Sequence, residues 1–113
     1  MMEELKFDIT IEQGAEFPLD LIYADDNENP VDVSGWIVES VIRESAGEER
    51  AIPFMCAADS SGFHLLMSSA RTMQLTFDRG EYDVFITDPD HKTRTKLVSG
   101  RVTVVQNTVR NVR

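Results

Sequence analysis

Three features of the sequence predict an all-β fold, a two-sheet antiparallel sandwich with one short crossover helix. Apolar and polar residues alternate with period two along much of the chain, turn signals recur about every 8–12 residues, and only one brief stretch has helical character. At 113 residues the chain fits one domain around one core.

The first alternating run is Phe7-Asp8-Ile9-Thr10-Ile11-Glu12, a strand with one buried face, broken by Gln13-Gly14-Ala15. The second places Phe17, Leu19, Leu21 and Tyr23 on one side, and Pro18 near its start suits an early or edge position. Asp25-Asp26-Asn27-Glu28-Asn29-Pro30 is a surface turn, built of residues that bond their own backbone or fix φ. The run Trp36–Arg43 has apolar residues on both faces, which predicts a central strand with Trp36 as the core anchor. Residues 44–50 form a charged connection, and 51–55 a short strand that Pro53 marks as an edge. Asp59-Ser60-Ser61-Gly62 turns the chain into Phe63–Met67. Residues 68–75 are the helical stretch, with Ser68 or Ser69 as N-cap. Glu81–Thr87 is the clearest strand, with Tyr82, Val84 and Ile86 on one face. Asp88-Pro89-Asp90-His91 is a β-turn leading to a hairpin partner, Thr93–Ser99, and Gly100 permits a bend into Val102 and Val104. The expected core is Phe7, Ile9, Leu19, Leu21, Trp36, Val38, Tyr82, Val84, Ile86 and Val102. Residues 1–106 form the sandwich, and 107–113 a polar tail that is mobile unless a partner orders it.

The formal net charge is −9, a field that repels phosphate, so nucleic acid and anionic membrane are poor partners. Lys92, Arg94, Lys96, Arg101, Arg110 and Arg113 crowd the last quarter while the first half is acidic, an asymmetry that permits head-to-tail contact between copies. The single Cys56 has no partner for an internal disulfide, which fits a reducing compartment. The N-terminal residues lack the pattern of a signal peptide, and no run approaches the roughly 20 apolar residues of a membrane span.

No residue pattern amounts to a catalytic, cofactor-binding or metal site. Asp25 to Asn29 opens like a calcium loop, but Pro30 stands where that loop needs glycine and Trp36 where it needs a bidentate glutamate. His64 and His91 lack ligands at metal spacing within their own elements, and the Asp88, Asp90 and His91 group is explained by a hydrophilic turn. Cys56 has no neighbouring base and reads as a partly buried filler. Ser60, Ser61, Ser68 and Ser69 lie in no nucleophile elbow, no phosphate-binding loop is present, and Glu48 and Glu49 sit in a charge run with no apolar setting. No metal, nucleotide or cofactor is expected, and no enzymatic activity.

Three segments, in this order and spacing, resemble a family: Phe7 to Ala15, the Asn29-Pro30-Val31-Asp32-Val33-Ser34-Gly35-Trp36 turn, and Gly80-Glu81-Tyr82-Asp83-Val84. The chain is similar over roughly residues 7–105 to small tailed-bacteriophage virion proteins, whose domain also stands at the N-terminus of phage baseplate upper proteins. It departs from the pattern at Thr72-Met73-Gln74, where an alanine-rich run is usual, and at Asn29, where glycine is usual. The resemblance implies an immunoglobulin-like sandwich made in the host cytoplasm and incorporated in a virion. There it would be a tail, neck, collar or baseplate adaptor or decoration subunit. Its partners would be other virion proteins, with many copies in a ring, a monomer in isolation, and Arg110 to Arg113 against an acidic neighbour. The alternative from the residues alone is a cellular adhesion or carbohydrate-binding sandwich.

Overall fold

The structure is a computed structural model that describes residues 4–45, 47, 49–90 and 92–107. Expectations for Glu48, His91 and Arg110 to Arg113 lie outside these residues. Two sheets face each other. The larger has the strand order β1 (Leu5–Lys6), β9 (Arg94–Val105), β8 (Arg79–Thr87), β4 (Ile37–Arg43), β5 (Ile52–Pro53), and β2 (Ile9–Glu12) also pairs with β9. The smaller is β3 (Phe17–Leu21), β7 (Gly62–Met67), β6 (Met55–Asp59). A single helical turn, α1 (Ser69–Thr72), crosses between them, and the Ser68 hydroxyl caps it by accepting from the Arg71 amide.

Period-two patterning places the core. Tyr82, Val84 and Ile86 of β8 point inward with Val38 and Ile42 of β4, Val98, Val102 and Val104 of β9, and Ile9 and Ile11 of β2. Phe63, Leu65 and Met67 of β7 meet them from the other sheet. Each such side chain, moved out of water, contributes about 1.5–3 kcal/mol.

The first strands depart from the antiparallel expectation. β1 and β2 run parallel to β9, with Leu5 opposite Val98 and Ile9 opposite Val102. The reason is topological: β2 ends where β9 ends, at the pair Glu12 and Val105, and Gly14 in the left-handed region turns the chain there into the other sheet. Gln13, which reads in the sequence as part of a break, is buried at this corner. Its amide donates to the Met73 and Leu75 carbonyls at 3.3 and 3.2 Å and accepts from the Asn107 amide at 3.0 Å, tying three segments together.

Four expectations need correction. Phe7 is 47% exposed rather than internal. At its level the Tyr82 hydroxyl donates to the Phe7 carbonyl at 2.6 Å, so the sandwich meets this residue through its backbone. Gly100 lies within an unbroken β9 instead of at a bend, and its missing side chain is what lets the Phe7 backbone pass over it. The expected strand over 51–55 is two strands in different sheets: β5 pairs with β4, and the chain then changes sheet at Phe54, whose amide donates to the Ser40 carbonyl. Trp36 precedes β4 and is half-buried at one end of the sandwich, packed on Tyr23 and Phe63 with ring centroids at 5.3 and 6.0 Å. β4 is central along its pairing with β8 but is flanked by β5 only at Val41 and Ile42.

Candidate protein-interaction face

The outward positions of β4, β8 and β9 form rows across the larger sheet. In one row Arg43, Glu81 and Arg101 stand side by side, and in the next Val41, Asp83 and Ser99. A third row aligns Glu39, Phe85 and Lys96. A β-bulge at Leu97 in β9 shifts the alternation by one residue, so that Lys96 shares this face.

The charges here are organised around Phe85. The Arg94 guanidinium lies 3.8 Å from the ring centroid and its Nε is 3.2 Å from a Glu39 oxygen. Lys96 Nζ is 5.7 Å from the same ring and 3.7 Å from Asp83. Lys6 bonds Glu4 and the Ser99 hydroxyl, and Ser99 in turn donates to Glu4. These ion pairs are exposed and contribute little to stability individually. They hold long side chains in defined positions beside a cleft of about 490 Å³ lined by Lys6, Arg43, Tyr82, Lys96 and Arg101. Burial, with Asp8 adding, pushes the Tyr82 phenol up to about 12, so it remains a hydrogen-bond donor.

On the outer face of the smaller sheet the fold assembles a cluster that spacing within one element does not reveal. His64 Nδ1 lies 2.8 Å from Asp20 Oδ1 on β3, and its Nε2 lies 3.0 Å from Asp59 Oδ1 and 2.9 Å from Ser61 Oγ. Ser61, His64 and Asp20 thus follow one another like nucleophile, base and acid. The chemistry is different. The Ser61 hydroxyl donates to Asp59 at 2.6 Å, so its proton is held by a carboxylate, and the two carboxylates favour the imidazolium form of His64 over the neutral base that activating a serine needs. The cluster braces three segments instead.

Its pH dependence follows. The His64 pKa is raised above 6.5 by Asp20 and Asp59, so its stabilisation is full below 6.5 and is lost as pH rises through the folded value. Asp59 is lowered from 3.8 to about 2 by Ser61 and then His64, so its contribution is present above 3.8 and is lost as pH falls toward 2. The cluster therefore stabilises most between 3.8 and 6.5. Thermal melts of His64→Gln should lose part of the parent's difference between pH 5.5 and pH 8, both values set at roughly one unit or more on either side of an ordinary imidazole titration. An unchanged difference would place the pH response elsewhere.

The remaining candidates have structural roles. Asp25 Oδ1 accepts from the Asn27 and Asn29 amides at 2.9 and 3.0 Å, which organises the turn. Asp88 does the same for the Asp90 amide. Cys56 is half-buried with its thiol pKa raised by burial, which lowers its reactivity. Among the described residues no group of three or more His, Cys, Asp or Glu is arranged to hold a metal ion, and no helix is long and apolar enough to cross a membrane. The face around Phe85 was not singled out by motif. The signal that could have found it is the outward sequence of β8, in which Glu81 and Asp83 are followed by an aromatic residue.

No protein-family model matches the chain, and no curated protein sequence matches it. Solved structures do. The chain is similar to one reported for VGSC beta subunits in a study of their multimeric cell-adhesive interactions, with a TM-score of 0.51 and 10% identity over 88% of this chain and 92% of that one. It is also similar to the NK cell receptor Nkp44, with a TM-score of 0.45 and 14% identity over 93% and 99%. At such identity the likeness shows the fold, which is immunoglobulin-like.

Proposed function

We propose that the chain is a structural subunit of a bacteriophage virion, in its tail, neck, collar or baseplate, working through protein–protein contacts and without catalysis. The observation that carries a contact role is the face around Phe85, where arginines and an aromatic ring, the residue types enriched in interfaces, surround a cleft on a rigid sheet. The ordered motifs over residues 7–105 support the phage setting, and the charge of −9 supports partners other than nucleic acid. The subunit is made in the host cytoplasm, and its partners are other virion proteins. A cell-adhesion module is the second reading, favoured by the cell-adhesive interactions named for the VGSC beta subunits.

Mass spectrometry of purified particles of the phage that encodes the chain tests the first reading. Peptides of this chain should be present at a copy number fixed by a ring or multiples of it. Absence from the particles overturns the virion role. Cells that aggregate when they display the chain would then favour adhesion.

A further inference from the structure

The sandwich has two flanks, each where an edge of one sheet lies over an edge of the other. On one flank the chain passes from β5 to β6 through Phe54, which is buried and whose amide donates to the Ser40 carbonyl, and this closes the gap. On the other it passes from β2 to β3 through residues 13–16. In immunoglobulin-like sandwiches the first strand lies beside the second in the smaller sheet. Here β1 and β2 both pair with β9 instead, and β3 pairs with β7 alone among the described residues.

Apolar side chains are uncovered along this flank. Phe17, Leu19 and Leu21 of β3 stand opposite Met67, Leu65 and Phe63 of β7; the β7 residues are fully buried and the β3 residues only partly. Across the gap Leu5 is opposite Val98, which is buried, yet Leu5 is 56% exposed. The backbone is uncovered as well. A proline fits an antiparallel strand where its missing N–H would face away from the partner, so Pro18, and Asp20 two residues on, turn their backbone groups to the free edge. Charge follows the same line. Glu12, Glu16 and Asp20 are exposed there, and β3, β6 and β7 contain no lysine or arginine. The nearest cationic group, His64, is shared between Asp20 and Asp59.

We propose that the free edge of β3 receives an extended segment of a partner protein, apolar at alternate positions and basic at those between. Both halves of the pattern follow from the edge. Side chains on one face of an added strand enter the gap beside Leu19 and Leu21, where apolar groups leave water. Those on its other face stand next to Glu16 and Asp20, where cations are favoured. Main-chain bonds to Pro18 and Asp20 fix the register, as when a peptide extends a sheet. The β3 strand of a second copy is the poorer occupant, since it brings a like-charged edge with the same proline. This inference goes beyond the proposed virion role and does not depend on it.

Fluorescence anisotropy with the labelled peptide acetyl-Val-Lys-Val-Lys-Val-Lys-Val-amide tests it. The peptide should bind the purified chain with a Kd below roughly 100 μM, and amide exchange should slow at Asp20. Glutamate in place of its lysines, or serine in place of its valines, should each weaken binding at least about tenfold. N-methylation of the valine amides and of the lysine amides, in separate peptides, should abolish binding in one and spare it in the other, because only one edge of an added strand faces β3. The double variant Glu16→Lys, Asp20→Lys should weaken binding at least about tenfold while melting cooperatively, and Glu16→Lys alone serves should the double variant fail to fold. A peptide that does not bind at about 1 mM overturns the proposal. So does protection that arises at Glu39, on the stretch of β4 beyond β5, rather than at Asp20. Self-association that the double variant abolishes would make a second copy the occupant, and an affinity that rises about tenfold when residues 108–113 are removed would make it the chain's own end; either result overturns the proposal.

Discussion

Replacing Gly100 by alanine should destabilise the protein by about 2–4 kcal/mol, the sum of an overpacked site and one or two lost hydrogen bonds. A Cβ at this position would overlap the Phe7 carbonyl oxygen, lie 2.6 Å from its carbon and stand 3.1 Å from Tyr82 Cε1. The obstacle is backbone, so no side-chain rotation relieves it. Residues 7 and 8 would have to lift away, breaking the Tyr82 hydroxyl bond to Phe7, the Phe7 amide bond to Ser99 and the Asp8 bond to the Arg101 amide. Urea denaturation measures the loss, and amide exchange should show protection falling first at Phe7 and Arg101. A variant within about 0.5 kcal/mol of the parent, the ordinary range for a harmless surface change, would mean that residues 7 and 8 do not depend on the gap.

Phe63→Ala should cost about 3–5 kcal/mol, a large fraction of the stability of a domain this size. Trp36→Ala should cost less, about 1–3 kcal/mol, although it removes more atoms. Phe63 is fully buried between the sheets, while Trp36 is half-buried and can be partly replaced by water. Deletion at Phe63 leaves a cavity walled by strands of both sheets; deletion at Trp36 opens a notch at the rim, where Tyr23 can settle. Parallel denaturation curves decide the order. A Trp36 variant less stable than the Phe63 variant would make the aromatic cluster, rather than the strand interior, the centre of the core.

Much of the fold is legible in the sequence because period-two patterning is a local property. β8 announces itself through Tyr82, Val84 and Ile86, and Ser68 announces the cap of α1. What stays hidden depends on other elements. Phe7 has the parity of a core residue, yet what the sandwich meets there is its carbonyl, bonded by the Tyr82 hydroxyl, a fact about β8. The strand expected over 51–55 reads continuously because nothing local marks the change of sheet at Phe54. The His64 cluster is invisible for the same reason: Asp20 is opposite His64 only after β3 pairs with β7. The face around Phe85 is intermediate. Its residues are written in alternation, but the bulge near Leu97 that brings Lys96 onto it has no local signature.

The parallel pairing of β2 with β9 sets an order in time. Ile9 meets Val102, and Ile11 meets Val104, so residues at the start of the sandwich find their places only beside residues that are made much later, at its far end. Until then Ile9 and Ile11 have no strand to lie against, and β8 has one side open along the length that β9 will cover. Such distant contacts are the slow ones to form, because a long loop must close before they add any stability. Gln13 extends the same condition, since its hydrogen-bond set is complete only when Asn107 arrives. The larger sheet therefore stays incomplete until β9 has been made, and the docking of β2 belongs to the late steps in the folding of this domain.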